Sequence, residues 1–271
     1  MKYALADGQR REPQPGLLGE CPSCNRPMVA KCGKIKVWHW AHIGRLMCDP
    51  WWDNETPWHR AWKNQFPTDW QERVHKSSDG EKHIADVKTD KDWVLEFQHS
   101  FLRSEERQAR NTFYEKLVWV VDGTRLKRDR TKFFNLVKGG AQFRNTPAIR
   151  LNGFLDDSAL LRDWAGSHAP VFFDFGEEWG LWYLLPHSSV SLAYVVKFSH
   201  AYFIKLQREG GQIESEFEFW FKELGNLVSD YHSQLLRQAS NQSAQPPNRS
   251  MHQGHQRHLA RQIFARSRKR F

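Results

Sequence analysis

Long apolar runs are missing from this 271-residue chain: none approaches the roughly 20 residues of a membrane-crossing helix, and positions 1–14 hold no apolar stretch behind a charged start. A soluble, cytoplasmic protein with no membrane partner is expected. Cysteine is scarce too, with four residues at 21, 24, 32 and 48 and none after. So few and so confined, in a reducing compartment, they read as a metal cluster rather than a disulfide framework. There is no Gly-rich phosphate loop, which excludes an ATP site of that kind and a helicase-like motor. Internal repeats are also lacking. Acid is absent after Asp230, and large apolar side chains are sparse before Val37. Hydrophobic residues amount to 39% and mean hydropathy is -0.73, low for a globular chain, yet 13 Trp and 18 Phe supply packing units large enough for a core.

What is present is concentrated first in IADVKTDKDWVLEFQ, residues 84–98. Val87, Val94, Leu95 and Phe97 give two arms strand character, and TDKD between them supplies turn residues, so the segment reads as a β-hairpin. Side chains alternate between the faces of a strand, which puts Glu96 and Gln98 on one side. A plausible register adds Asp86. Two carboxylates and an amide carbonyl are hard oxygen donors suited to Mg²⁺ or Mn²⁺. The competing account is an ordinary solvated face of an amphipathic hairpin. Upstream, ETPWHRAWKNQF repeats Glu55, His59 and Lys63 every four residues, one polar stripe if the segment is helical. By itself that stripe is equally a solvated helix face.

The elements continue in order. A strand is expected over 70–75, the hairpin arms over 82–89 and 92–98, a helix over 103–116 capped by Ser100 or Ser104, and a buried strand LVWVVD over 117–122. This α/β arrangement, αβββαβ with carboxylates on the hairpin, resembles the restriction-endonuclease-like core of the PD-(D/E)XK nuclease superfamily. More closely, CPSC, HWAH, E-x3-H-x3-K, IADV, EFQHS with the Arg-rich helix after it, and VWVVD look like the competence protein CoiA-like nuclease family. The resemblance spans about residues 20–122.

It implies Asp86 and Glu96 as ligands of catalytic Mg²⁺ or Mn²⁺, with Glu55 as a further acid. Gln98 stands where the superfamily has lysine, and an amide can hydrogen-bond but cannot offer a positive charge. Lys63 is the first candidate to replace that charge and Lys88 the second. His59 is a general base, a hydrogen-bond partner of the acids, or a structural histidine. The activity implied is hydrolysis of DNA phosphodiester bonds by a Mg-dependent deoxyribonuclease, in DNA uptake, recombination or defence against foreign DNA.

A second metal signal precedes the hairpin. Cys21 and Cys24 have the C-x2-C spacing of a zinc knuckle, and His39, His42, Cys32 and Cys48 compete to complete a tetrahedron. The expected Zn²⁺ ligands are Cys21, Cys24, His42 and Cys48, with His39 the first substitute and Cys32 a free thiol. The site is read as structural, because residues 1–50 hold too little apolar surface to fold unaided.

Charge is unevenly spread. Residues 231–271 carry eight Lys or Arg and no acid, so nearly all of the net +9 lies there. SNQSAQPPNRS, 240–250, reads as a linker and HLARQIFARSRKRF, 258–271, as a basic arm. Arg266, Arg268, Lys269 and Arg270 there, with Arg125, Lys127 and Arg128 in a second basic cluster, are candidate DNA contacts through phosphate. The expected organisation is a zinc-binding module (1–50), a nuclease core (51–144), an α+β extension (145–239) and a linker with basic tail (240–271). Within the extension, 171–185 reads as an aromatic hairpin and 212–236 as a helix. Trp179 and Trp182 either stack on bases or belong to the core. A catalytically inactive zinc-containing DNA-binding factor, or a scaffold whose tail docks a protein partner, is the alternative. Keeping all of Glu55, Asp86, Glu96 and Gln98 argues against it.

Overall fold

In the computed structural model, which describes residues 1–44, 48–51, 55–143, 146–185, 188, 192–209, 222–223, 225–231 and 233–238, the first turn is made by Asp7 (φ 52°) and Gly8 (φ 72°). Two successive left-handed residues match the twist of a tight hairpin, and Asp-Gly tolerates them. The turn joins β1 (Ala4–Ala6) to β2 (Gln9–Arg11), and β3 (Leu18–Glu20), β4 (Pro27–Lys31) and β5 (His39–His42) complete an antiparallel sheet ordered β2-β1-β3-β4-β5. Its core is small: Met1, Ala4, Ala6, Cys21, Met28 and Trp40.

Pro57 then starts α1 (Pro57–Lys63), where a missing N–H matters least, and the Thr56 hydroxyl accepts the His59 N–H at 3.3 Å as a cap. Glu55 therefore precedes the helix rather than lying on it, a correction to the predicted stripe. The strand expected over 70–75 begins one residue later, because a 3-10 turn occupies Thr68–Trp70. It is β6 (Gln71–Lys76), followed by β7 (Lys82–Lys88), β8 (Val94–Gln98), α2 (Ser104–Phe113) and β9 (Leu117–Asp122). Neither predicted serine caps α2. Its N-cap is Arg103, Ser104 is already helical, and the Ser100 hydroxyl accepts from Gln98 Nε2 at 2.9 Å.

After β9 come α3 (Lys127–Lys138), β10 (Ala141–Gln142), β11 (Ile149–Arg150), α4 (Ala159–Trp164), β12 (Val171–Asp174), β13 (Leu181–Leu184), β14 (Tyr194–Phe198) and α5 (His200–Glu209). All strands from β6 onward join one sheet ordered β10-β11-β14-β13-β12-β9-β8-β7-β6, parallel only at β8–β9 and β9–β12. β11 to β14, from within the 145–239 segment, thus extend the same sheet. Helices cover both faces, so β8 and β9 are buried along their whole length. On one face Trp62 of α1 stacks on Phe97 (5.5 Å) and Phe203 of α5 meets Phe172 (4.8 Å). On the other, Asn111 of α2 accepts the Trp119 indole N–H at 2.8 Å, and α3 and α4 bring Phe133 and Trp164 onto Phe173 and Trp119. The aromatic hairpin is β12–β13. Its Trp182 is buried, while Trp179 is 38% exposed beneath the Arg130 guanidinium.

The described residues group into two compact units, Met1–Val228 and Ser229–Phe271. In the second, 229–231 and 233–238 are helical. Of the helix expected over 212–236, residues 212–221, 224 and 232 lie outside the described residues, as do the linker and basic tail.

Candidate active site and metal centre

β7 and β8 pair only at Val87–Leu95 and Lys88–Val94, then splay apart. Two carboxylates stand in for the missing ladder. Phe97 N–H donates to Asp86 Oδ2 at 3.0 Å, and Asp86 N–H donates to Glu96 Oε1 at 3.4 Å. His59 and Lys63 reach Asp86 from α1, and Arg110 reaches Glu96 from α2 on the opposite face. The result is a pocket of about 60 Å³ whose lining includes Glu55, His59, Lys63, Glu72, Asp86, Glu96, Gln98 and Arg110. All six residues predicted to act, Glu55, His59, Lys63, Asp86, Glu96 and Gln98, are brought together here.

Their partners differ from the expectation. Arg60 grips Glu55 with two hydrogen bonds, Nε to Oε1 at 2.8 Å and Nη2 to Oε2 at 2.6 Å. Lys63 Nζ lies 2.7 Å from both Glu55 Oε1 and Glu72 Oε1 and 3.9 Å from Asp86 Oδ1. Burial opposes ionisation of Glu55, but Lys63 and Arg60 outweigh it and hold the carboxyl below its ordinary value. Burial likewise disfavours the Lys63 charge, and Glu72, Asp86 and Glu55 more than restore it, so its affinity for a proton is raised. The predicted second cation is elsewhere: Lys88 Nζ sits 3.1 Å from Asp92 and 3.1 Å from His75, outside the pocket lining.

Glu72 and Arg110 are the residues that sequence reasoning missed. Glu72 has φ 45°, rare for this residue type, and its carboxylate accepts the Lys2 N–H at 2.7 and 2.8 Å and the Tyr3 N–H at 3.0 Å. Although buried, it is held down to about 2 by Lys63, the Met1 amino group and the Lys2 N–H. Nothing in QERVHK announces a left-handed residue in the strand. Arg110 donates from Nη1 to Glu96 Oε2 at 2.9 Å and from Nη2 to Glu106 (2.5 Å) and the Trp51 carbonyl (2.7 Å). The signal for it was the arginine-rich helix after EFQHS.

Glu96 is the unsettled acid. Burial and the neighbouring Asp86 push it up to about 8, against the pull of Arg110. Asp86 is the most open acid of the pocket: its side chain is 24% exposed, and Lys63 Nζ and His59 Nε2 each stand 3.9 Å from it. His59 Nδ1 is buried without a hydrogen-bond partner. Gln98 donates through Nε2 to Ser100 O (3.1 Å) and Oγ (2.9 Å), which leaves Oε1 as the amide's remaining end. Asp86, Glu96 and Gln98 thus bring hard oxygen donors to the lining of one pocket. Glu55, bound by Arg60 and Lys63, does not join them as a third close carboxylate.

Among the described residues one group of three or more His, Cys, Asp or Glu is close enough to hold a metal ion: Cys21, Cys24, His42 and Cys48, whose ligand atoms lie within 4.8 Å of one another. Asn25 (φ 57°) closes the turn after Cys24, with its N–H on the Cys21 carbonyl at 2.9 Å, and His42 ends β5. Cys21 Sγ is 3.6 Å from Cys48 Sγ, and Cys24 Sγ is 3.3 Å from His42 Nε2. Three sulfurs and one imidazole are a tetrahedral zinc donor set. Burial and the sulfur atoms beside it push the Cys48 thiol up, a strain that a bound cation removes. His39 turns Nδ1 to the Val37 carbonyl at 2.8 Å and stays out of the cluster, as does Cys32.

Arg125, Lys127 and Arg128 are exposed around the start of α3. Arg266, Arg268, Lys269 and Arg270 lie outside the described residues.

Residues 20–50 match the family model described as competence protein CoiA, N-terminal domain, a stretch that contains all four cluster ligands. No curated protein and no solved structure matches the chain.

Proposed function

We propose that this protein is a metal-dependent nuclease hydrolysing phosphodiester bonds in DNA, in a competence-related role. The observation that carries the reading is the meeting of Asp86, Glu96 and Gln98 where β7 and β8 splay, one acid partly open to solvent and the other pushed up by burial and by its neighbouring acid. The element order αβββαβ over residues 57–122 supports it as the arrangement of the PD-(D/E)XK superfamily. So does the CoiA match, which carries the competence context. A Zn²⁺ in the Cys3His cluster is structural, since four protein ligands leave no place for substrate.

Asp86, Glu96 and Gln98 Oε1 would hold Mg²⁺ or Mn²⁺, which when bound supplies a lowered water pKa and a polarised phosphoryl group. The residues of the chain do the rest. Lys63 is locked between Glu55 and Glu72, so it cannot swing to a phosphate; it acts by keeping a positive charge beside Asp86. Arg110 orients Glu96. His59, with Nε2 3.9 Å from Asp86 Oδ2, accepts the proton that the attacking water loses. A pocket of about 60 Å³ admits an ion and water but no nucleotide, so the strand runs across the mouth with its phosphate at Asp86. Arg125, Lys127 and Arg128 and the basic C-terminal residues attract the DNA backbone without sequence preference.

A second reading, a DNA-binding factor without hydrolysis, has one observation in its favour. Arg60, Lys63 and Arg110 already pair with Glu55, Glu72 and Glu96, which sustains the pocket electrostatically with no divalent ion. Cleavage of linear and circular, single- and double-stranded DNA with Mg²⁺, Mn²⁺ or EDTA separates the two. Metal-dependent cutting by wild type, reduced at least about 10²-fold in Asp86→Ala and Glu96→Ala variants that still fold and bind DNA, is expected. Salt-sensitive binding with no cutting under any condition would transfer the protein to the second reading.

A further inference from the structure

The Cys3His cluster and the acid pocket are joined by four residues, 48–51. Cys48 contributes its sulfur to the cluster. The next residue, Asp49, is buried, and both its oxygens are used: Oδ2 accepts the Ile84 N–H at 2.8 Å, while Oδ1 accepts the Trp51 N–H at 2.9 Å and lies 2.8 Å from His83 Nδ1. Trp51 stacks on the same His83 ring, centroids 3.3 Å apart and planes 11° from parallel, and its carbonyl accepts Arg110 Nη2 at 2.7 Å. Arg110 is the residue that grips Glu96. Asp49 and Trp51 both line the pocket.

The splay of β7 from β8 explains why these contacts matter. Beyond the last ladder pair, Val87–Leu95, the N–H groups of β7 on that side have no strand to bond. Asp86 N–H finds Glu96, and Ile84 N–H finds Asp49. Each wall of the pocket is therefore braced from the metal loop, β7 through Asp49 and β8 through Trp51 and Arg110. Neighbouring Cα atoms are about 3.8 Å apart, so any displacement of Cys48 on leaving the cluster pulls on the backbone that carries the Asp49 carboxylate.

We propose that residues 48–51 make the geometry of the acid pocket conditional on metal occupancy of the Cys3His cluster, with Asp49 as the positioning residue that transmits it. The coupling concerns the shape of the pocket, so it does not depend on what the pocket hydrolyses. Coupling of this kind is reciprocal: the factor by which the metal favours the ordered β7 and β8 is the factor by which that order strengthens metal binding.

The test uses the full chain and zinc alone, in wild type, Asp49→Ala and Asp49→Asn. Zinc affinity is measured by chelator competition, and hydrogen exchange is followed over 82–98, with 181–198 as the reference for the intact sheet. Zinc removal from wild type should accelerate exchange over 82–98 about tenfold or more while sparing 181–198. Zinc-loaded Asp49→Ala should exchange like metal-free wild type, should gain nothing further on zinc removal, and should bind zinc about tenfold more weakly. Asp49→Asn, which keeps an oxygen for the Ile84 N–H, should fall between. If Asp49→Ala loses protection over 181–198 as well, Asp49→Asn decides alone by its 82–98 protection relative to 181–198 and by its zinc affinity. Wild-type protection over 82–98 together with wild-type zinc affinity in the deciding variant would overturn the proposal, as would undiminished protection of metal-free wild type.

Discussion

Glu96 and Asp86 face each other across a gap that their own side chains hold open, yet their surroundings differ. Glu96 is buried against α2 and pushed up to about 8, whereas Asp86 stands partly in solvent. Because an unfolded Glu titrates near 4.5, the native state binds the extra proton between that value and about 8. Glu96 then contributes its full stability below pH 4.5 and loses it as pH rises through 8. Glu96→Gln keeps the shape and an oxygen for Arg110 but cannot ionise. Its thermal midpoint should match or trail wild type at about pH 5 and exceed it by several degrees at about pH 8.5, a difference on the order of a few kcal/mol. Parallel pH profiles for the two proteins in a thermal melt would rule out a protonated native Glu96. A divalent cation bound at neutral pH would displace that proton, so uptake of metal should release acid.

At the scale of elements, the splayed hairpin is held by side chains where neighbouring strands normally hold each other. Asp86→Ala removes the acceptor of the Phe97 N–H without touching the Val87–Leu95 pair. Exchange of the Phe97 amide should accelerate about tenfold, the equivalent of roughly 1.4 kcal/mol from one hydrogen bond to a charged group, while Leu95 stays protected. Equal protection at both amides in nuclear magnetic resonance exchange would mean that backbone pairing extends past Leu95. α1 and α2 lie on opposite faces of the sheet, and only the gap lets Lys63 and Arg110 serve one pocket.

For the whole molecule, the excess charge lies after Asp230, and seven of the eight basic residues there follow position 240. Removing residues 241–271 should leave the nine-stranded sheet and its pocket in place. The truncated chain should bind DNA more weakly, and the slope of log K against log salt should become shallower by about 0.7 to 0.9 for each phosphate that the shortened chain no longer neutralises. Identical slopes before and after truncation, read from fluorescence anisotropy across a salt series, would show that the basic end touches no phosphate.

Features that depend on short-range periodicity were already written in the order of the residues. Alternating apolar residues in 82–98 specified the hairpin and put Glu96 and Gln98 on one face. The run LVWVVD, apolar but for Asp122, became β9 over the expected residues, and of the six Cys and His in competition the fold assembles the expected Cys21, Cys24, His42 and Cys48. Which charges meet was settled only when distant segments packed. Arg110 is 14 residues from Glu96, and Asp49 is 34 from His83. Glu72 turns to the Lys2 and Tyr3 amides through a left-handed φ, and Lys63, one polar face of a short helix in the sequence, is buried between two acids. Local pattern records the direction a side chain takes from its own strand or helix. It does not record the distance to a segment that arrives from elsewhere, and that distance sets the pairing, the burial and the proton affinity of every group in the pocket.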